Sequence, residues 1–198
     1  QSAVAAYKNV LSDVGANQPV FDTHDQRIIQ ETLKGTYSFK GSKSGLGGMI
    51  DHQDDAGGWE NYPNESRDAN WDTDQDGLPN WWEESKGLNV NSAKGDFSDA
   101  NTNNGDGFTQ LEDYLNWLAQ PHYFVNASET LKIDVADLFR GYTNKPKYSV
   151  VTVINGSASI IRKEIRFTSA QKGFSSVEVK VVDADGDSMS RIINVFVK

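Results

Sequence analysis

The feature that most constrains this chain is a twelve-residue acidic segment, residues 72–83, in which aspartates alternate with other residues and a glycine follows the third aspartate. Ca²⁺ prefers six to eight oxygen ligands, and a loop of the EF-hand type supplies them from positions 1, 3, 5, 7, 9 and 12, with glycine at position 6. Gly77 stands at that sixth position. A solvated acidic loop is the ordinary interpretation of a run of charges, but it does not explain this spacing. The predicted Ca²⁺ ligands are Asp72, Asp74, Asp76, Leu78, Asn80 and Glu83.

Proline follows at position 8 of this loop, where paired EF-hand loops exchange backbone hydrogen bonds. Pro79 has no N–H to donate, although proline suits the first turn of a helix. We therefore expect a lone, structural loop rather than half of a sensor pair. A short helix over 80–86 should follow it and end at Gly87.

A second, weaker loop of the same type is predicted over residues 102–113. Its glycine, Gly107, falls at position 6, but Thr102 at position 1 is a poor ligand, and Asp99 or Asn101 could replace it. The alternative is a tight turn that caps a helix predicted over 110–119, and the sequence leaves both interpretations open. The candidate ligands are Asn104, Asp106, Phe108, Gln110 and Asp113.

Other candidate metal ligands are interpreted as structural. The acidic pattern at 183–187 lacks a closing carboxylate and lies between two predicted strands, so a hairpin turn is favoured over a metal site. The three histidines, His24, His52 and His122, show no metal-ligand spacing. No nucleophile motif or phosphate loop can be argued from the sequence.

Composition limits the classes of function that remain. The chain has 198 residues, no cysteine and a formal net charge of −9. Residues 51–116 contain sixteen Asp and Glu against three Lys and Arg, so this stretch carries −13 and the remainder +4. An acidic block of this kind suits cations and argues against a nucleic-acid partner, whose phosphates it would repel. No apolar run approaches the length that spans a bilayer.

Hydrophobic periodicity divides the chain into three predicted domains. Residues 1–60 hold two short helices and a glycine-rich stretch, which offer little mutual burial, so we interpret them as a docking segment for a partner domain. Residues 61–122 form the EF-hand-like segment, and residues 123–198 alternate apolar and polar residues as a β-sandwich does. The predicted fold class is thus mixed, a loop-rich α-helical Ca²⁺-binding segment followed by an all-β sandwich.

Local signals refine this division. The first helix has apolar residues at helical spacing from Ala3 to Val14, and a capping box at Thr23 and Gln26 opens the second. All five tryptophans lie between Trp59 and Trp117, and burial in a core is favoured for them over stacking on sugar rings. Six strands are predicted, over 131–135, 148–153, 157–161, 164–167, 177–182 and 192–197.

Four motifs in succession resemble the tail of secreted bacterial pectate lyases. They are Asp22-Thr-His-Asp-Gln-Arg-Ile-Ile, then Asp54-Asp-Ala-Gly-Gly-Trp, then the 72–83 loop with its Leu-Pro-Asn-Trp-Trp-Glu ending, then Gly105-Asp-Gly-Phe-Thr-Gln-Leu-Glu-Asp-Tyr-Leu-Asn. The resemblance covers roughly residues 3–120. The β-sandwich after them is similar to the cadherin-like or immunoglobulin-like modules appended to such enzymes.

The resemblance implies a non-catalytic, calcium-binding C-terminal portion of an enzyme that degrades polygalacturonate by β-elimination. The catalytic parallel β-helix of that family, with its calcium–pectate site and arginine base, is absent from this sequence, so no catalytic residue is assigned, Arg27 included. The implied partners are a β-helix domain, in the same polypeptide or an associated chain, and pectic polysaccharide through that domain.

The implied location is secreted, periplasmic or at the cell surface. The first residues show no leader pattern, as expected after removal of a leader or at an internal cut. Two alternatives stay open. One is a free-standing calcium-dependent carbohydrate-binding or adhesion module, and the other is one chain of a nicked, two-chain lyase.

Overall fold

The computed structural model describes residues 1–15, 17–18, 21–64, 66–103 and 105–198. Within these ranges the fold is mixed, with four α-helices and two β-sheets. The helices are α1 (Ala3–Asp13), α2 (Thr23–Lys34), α3 (Asn80–Lys86) and α4 (Gln110–Ala119), with 3₁₀ turns at Gln53–Ala56 and Val135–Leu138. The strands are β1 (His122–Val125), β2 (Thr130–Asp134), β3 (Lys147–Ile154), β4 (Ser157–Ile161), β5 (Glu164–Thr168), β6 (Gly173–Val182) and β7 (Ser188–Val197).

The strands form a two-sheet unit at the C-terminal end of the chain. One sheet has the order β1-β7-β6-β3, in which β1 runs parallel to β7 and the other pairs are antiparallel. The other sheet has the antiparallel order β2-β5-β4. Because side chains alternate between the faces of a strand, each sheet turns one set inward. Buried residues of both sheets join one core, including Ile133, Ile165, Phe167, Val179, Ile193 and Val195.

A second cluster of buried side chains joins the acidic middle segment to the larger sheet, and we call it the aromatic cluster. Trp81 of α3 lies near its centre, with its ring 4.5 Å from that of Phe196 on β7 and 5.5 Å from that of Trp117 on α4. Trp59 lies outside it and is 83% exposed. The buried members of the cluster are Leu78, Trp82, Ala100, Tyr114, Trp117 and Phe196.

Helix α1 packs on the two-sheet unit at Gly141. A Cβ atom at Gly141 would lie 2.0 Å from the carbonyl oxygen of Lys8, so only glycine allows the two backbones to approach this closely. The Gly141 amide donates to the Ser12 hydroxyl at 3.1 Å, and the Tyr142 hydroxyl donates to Asn9 at 2.5 Å. The first helix is therefore attached to a part of the chain more than 120 residues away.

Helices α3 and α4 confirm the predicted ranges, and α4 begins with the predicted cap, in which the Thr109 hydroxyl and Glu112 satisfy each other's backbone amides. The predicted cap of α2 is wrong. Asp22 is the cap, and its carboxylate accepts from the Asp25 amide at 2.7 Å. The Thr23 hydroxyl instead donates to the Glu60 carboxylate at 2.6 Å.

Strand β1 was not predicted. It has four residues and directly follows the end of α4. Its partner is β7, about seventy residues later, so nothing in the local sequence marks the pairing. The predicted hairpin at 183–187 joins β6 and β7 of one sheet, whereas Asn155-Gly156 connects β3 of that sheet to β4 of the other.

Candidate metal centre

The backbone of the 72–83 loop folds on itself around Gly77. Its φ of +98° is in the left-handed region that favours glycine, and the Gly77 amide donates to Asp72 at 3.0 Å. Asn80 closes the loop, because its amide oxygen accepts from the Thr73 backbone at 2.9 Å and its amide nitrogen donates to the Thr73 hydroxyl at 2.8 Å. Both polar atoms of the Asn80 side chain therefore form hydrogen bonds within the loop. The role of Asn80 as a Ca²⁺ ligand stays a prediction.

Three aspartates of the loop point one oxygen each toward a common centre. Ligand oxygens of Asp72, Asp74 and Asp76 lie within 4.8 Å of one another. The other oxygen of each aspartate accepts a hydrogen bond. Asp72 accepts from the Gly77 amide at 3.0 Å, Asp74 from the Ser92 hydroxyl at 2.6 Å, and Asp76 from the Leu78 amide at 2.8 Å. Among the described residues, the remaining oxygens, Asp72 Oδ1, Asp74 Oδ1 and Asp76 Oδ2, are buried without a hydrogen-bond partner.

Glu83, in the first turn of α3, places a fourth carboxylate near the three aspartates, although among the described residues the oxygens that converge within 4.8 Å are those of the aspartates. The side chain is fully buried, and neither carboxylate oxygen has a hydrogen-bond partner in the described part of the chain. Burial raises the pKa of Glu83 to about 7, with further contributions from Asp74, Asp76 and Asp72. A buried carboxyl group surrounded by like charges is costly unless a proton or a cation neutralises it.

A strap over residues 89–99 covers the loop from outside. The Gly95 amide donates to the Asp74 carbonyl at 2.7 Å, beside the Ser92 contact, and the Asn89 amide donates to Asp99 at 2.9 Å. Burial raises the pKa of Asp76 most, Asp74 and Asp72 raise it further, and Asp99 also lies near enough to raise it. The sequence suggested Asp99 only as a substitute ligand of the second loop. Its approach to the first loop depends on how the strap folds back, and no regular residue spacing indicates that.

The second loop forms the predicted tight turn. The Gln110 amide donates to the Thr102 carbonyl at 3.0 Å, and Asp106 accepts from the Phe108 amide at 2.9 Å. Burial raises the pKa of Asp113, and Asp106 raises it further, so these two predicted ligands are neighbours. Asn104 lies outside the described residues. A metal at this loop stays a prediction, because no three oxygens of described acidic residues converge within 4.8 Å of one another here.

The acidic turn between β6 and β7 is the other place where three described carboxylates converge. There the ammonium of Lys8, from α1, donates to Asp183 at 2.5 Å and to Asp185 and Asp187 at 2.7 Å. Burial alone would lower the pKa of Lys8, but the three hydrogen-bonded carboxylates outweigh it and raise that pKa. The predicted hairpin turn is confirmed, and its carboxylates already surround a cation.

Either aspartate triad could hold a metal ion, but only one of the two already has a cation bound between its carboxylates. The 72–76 triad and Glu83 have buried oxygens without partners, whereas the 183–187 triad has the Lys8 ammonium. The stronger candidate metal centre is therefore the 72–83 loop. No helix of the described chain is both long and apolar enough to cross a membrane.

Comparisons with known proteins identify no family. No family model and no curated protein matches the chain. Among solved structures, it is similar to a nucleoside hydrolase-related hypothetical protein from Saccharophagus degradans described as associated with carbohydrate metabolism. The identity is 15% and the TM-score 0.28, over 52% of this chain and 28% of the other. A similarity at this level carries no argument about fold or function.

Proposed function

We propose that this chain is a non-catalytic, calcium-binding module in which one Ca²⁺ ion stabilises the acidic middle segment. The observation that carries the proposal is the set of buried carboxylate oxygens without partners in the 72–83 loop, on Asp72, Asp74, Asp76 and Glu83. Buried charged groups are ordinarily paired or bound to a metal ion. The Leu78 carbonyl adds a further oxygen at position 7 and accepts no backbone hydrogen bond within the described residues.

Ca²⁺ fits this donor set better than other common metals. All the predicted ligands are oxygens, which hard cations prefer, and neither cysteine nor histidine belongs to the group. Mg²⁺ requires near-ideal octahedral geometry and keeps several waters, whereas Ca²⁺ accepts a bidentate carboxylate such as that predicted for Glu83.

The test compares thermal unfolding in chelator and in excess Ca²⁺. An ion that binds only the folded state stabilises it by about 2.7 kcal/mol at a free concentration of 100 times the dissociation constant. Asp76→Asn should abolish most of this stabilisation. Asp96→Asn, at an exposed position of the strap, is the matched control and should keep it.

Two outcomes contradict the proposal. One is an equal melting midpoint in chelator and in Ca²⁺ for the unchanged protein. The other is a Ca²⁺ response that survives in Asp76→Asn. Metal analysis of the purified protein, with Mg²⁺ and Mn²⁺ as competitors, identifies the ion directly.

The wider role that we propose is the C-terminal portion of a secreted pectate lyase, with a β-sandwich of the cadherin-like or immunoglobulin-like kind at its end. Large apolar side chains are exposed in greater number in the first 62 residues than a short segment of a self-contained domain needs, and this supports a partner domain. They include Val4, Val10, Ile28, Met49, Trp59 and Tyr62. The partner would be the catalytic β-helix, and the location secreted, periplasmic or cell-surface.

Two measurements test this wider role. The isolated chain should release no unsaturated uronate from polygalacturonate in the presence of Ca²⁺, and an activity abolished by substitutions in this chain would contradict that. The genomic sequence upstream of Gln1 should encode β-helix repeats. A different upstream domain, or none, would favour the free-standing module.

A further inference from the structure

A cleft between α2 and the two-sheet unit contains a positively charged side chain that the metal centre does not use. Its volume is about 790 Å³, within the range of small-molecule sites. Phe21 and Gln30 line it on the α2 side, and Arg140, Thr143 and Lys163 line it on the other. The cleft lies away from the 72–83 loop, none of whose residues lines it.

Arg140 is the unusual residue of this cleft. Its guanidinium carbon lies 4.0 Å from the centre of the Phe21 ring, and the side chain is half-buried. Within the described residues it has no hydrogen bond and no carboxylate at ion-pair distance. Burial lowers the pKa of Arg140, and Asp137 only partly offsets that effect. A half-buried guanidinium that stacks on an aromatic ring and has no carboxylate at ion-pair distance is free to pair with an anion that enters the cleft.

The charge around Arg140 favours an anion. Lys34 and Lys163 also line the cleft, and Asp137 is the acidic residue among its described lining. Three cations and one carboxylate face the same space in a chain whose net charge is −9. The local excess of positive charge is therefore opposite in sign to the rest of the molecule.

The neutral polar groups in the cleft narrow the class of anion. Gln30 from α2 and Thr143 from the opposite side present an amide and a hydroxyl, which can bind hydroxyl groups of a ligand, whereas the Gln26 amide nitrogen already donates to the Phe21 carbonyl at 2.7 Å. A planar guanidinium binds a carboxylate through two parallel hydrogen bonds. We propose that this cleft binds a hydroxylated carboxylate, such as a sugar acid, with its carboxylate paired to Arg140. A purely apolar acid would form no hydrogen bond with the Gln30 amide or the Thr143 hydroxyl.

The inference goes beyond the proposed function, because no metal ion takes part in it. The probes are galacturonate and galactose, which share one ring and differ in the carboxylate. Binding is followed by NMR shifts of the Arg140 side chain and the α2 amides in the Ca²⁺-loaded protein, at the same Ca²⁺ concentration for both sugars. Galacturonate should shift these signals, and galactose at the same concentration should not. Equal binding of both sugars, or no binding of galacturonate, overturns the proposal.

Variants locate the site. Arg140→Gln should weaken galacturonate binding about tenfold or more, as expected for loss of a charge-assisted pair. Lys163→Gln, at an exposed position, should weaken it about twofold to threefold and decides the matter if Arg140→Gln does not fold. Arg166→Gln, an exposed arginine on β5 that pairs with Glu164, is the charge-matched control and should bind normally. Unchanged binding in both cleft variants, or inorganic phosphate competing as strongly as galacturonate, overturns the assignment.

Discussion

At the residue scale, the two carboxylate oxygens of each loop aspartate have different roles. One oxygen of each accepts a hydrogen bond from the loop or the strap, and the other is left toward the common centre. The hydrogen bonds hold the side chains in place before an ion arrives, which reduces the ordering cost of binding. Spacing alone predicted which residues would converge. It could not predict Ser92, because its contact depends on a strap that folds back over the loop.

Glu83 should make the stability of the metal-free protein depend on pH. Its pKa rises from 4.5 to about 7 on folding, so the folded chain binds this proton more tightly than the unfolded chain. The free energy of unfolding in chelator should therefore fall as pH rises from about 4.5 to about 7, and then level off. The measurement is urea unfolding across this range.

Glu83→Gln provides the control, since its uncharged side chain cannot titrate. The difference between the two proteins should be largest at neutral pH, and parallel curves would contradict the prediction. Ca²⁺ binding should show the opposite trend. A proton on Glu83 competes with the ion, so the affinity for Ca²⁺ should fall as pH decreases below about 7.

Lys8 illustrates what residue patterns cannot show. The 183–187 turn has the alternating aspartates of a metal loop, and the sequence does not indicate that an ammonium group 175 residues away would lie between them. Lysine is almost never fully buried unless it is paired, so the residue type alone predicts exposure at position 8. Burial here follows from the long-range pairing with three carboxylates.

Replacement of Lys8 by methionine should lower the melting midpoint clearly, because three converging carboxylates would lose their cation. Added Ca²⁺ should raise the midpoint of Lys8→Met more than that of the unchanged protein, since the freed triad offers oxygen ligands. Differential scanning fluorimetry measures both effects. Lys94→Met, at an exposed position, is the control, and equal midpoints for the two variants would refute the role of Lys8.

At the element scale, prediction succeeded where the signal was local. Helices α3 and α4 have their caps and stop residues within a turn of their ends, and both ranges were predicted from the sequence. Strand β1 failed because its four residues gain their hydrogen bonds from a distant strand. The predicted cap of α2 was wrong by one residue, because Asp22 and Thr23 are adjacent and both types of side chain can cap a helix. The Thr23 hydroxyl binds Glu60 instead, and Asp22 caps the helix.

Helix α3 links the metal loop to the aromatic cluster, so a substitution there should affect both. Trp82→Ala removes a side chain that is 2% exposed and should cost about 3–5 kcal/mol of unfolding free energy. It should also weaken Ca²⁺ binding, because Trp82 precedes Glu83 on the same helical turn. Trp59→Ala, at an 83% exposed position, should change stability by less than about 0.5 kcal/mol. Denaturant unfolding compares the two, and equal losses would contradict the packing.

At the scale of the whole molecule, two cores meet at the larger sheet. One lies between the sheets and the other, the aromatic cluster, connects that sheet with α3 and α4. Helix α1 is held to the two-sheet unit by polar contacts, which include Arg191 donating to the Ser12 carbonyl at 3.0 Å and pairing with Asp13. Val4 and Val10 of α1 are exposed, and the predicted docking of this helix on a partner domain stays a prediction.

Hydrogen exchange should therefore separate α1 from the residues that follow α2. We expect slow exchange in α1 and in β6 and β7, because buried polar contacts join them. Exchange should be fast across residues 36–64, which are largely exposed. Mass spectrometry of the isolated chain in Ca²⁺ tests this. Fast exchange throughout residues 1–60 would instead support a single docking segment.

The contact between Lys8 and the β6–β7 turn has a consequence for biosynthesis. The helix leaves the ribosome first, and its anchor follows 175 or more residues later. At about 5–20 residues per second, roughly 10 to 35 seconds pass in which the lysine has no counter-ions and the helix no fixed position. A prematurely terminated chain would never acquire the anchor. Proteases that cut mobile segments would therefore distinguish truncated copies, in which this helix is loose, from complete ones.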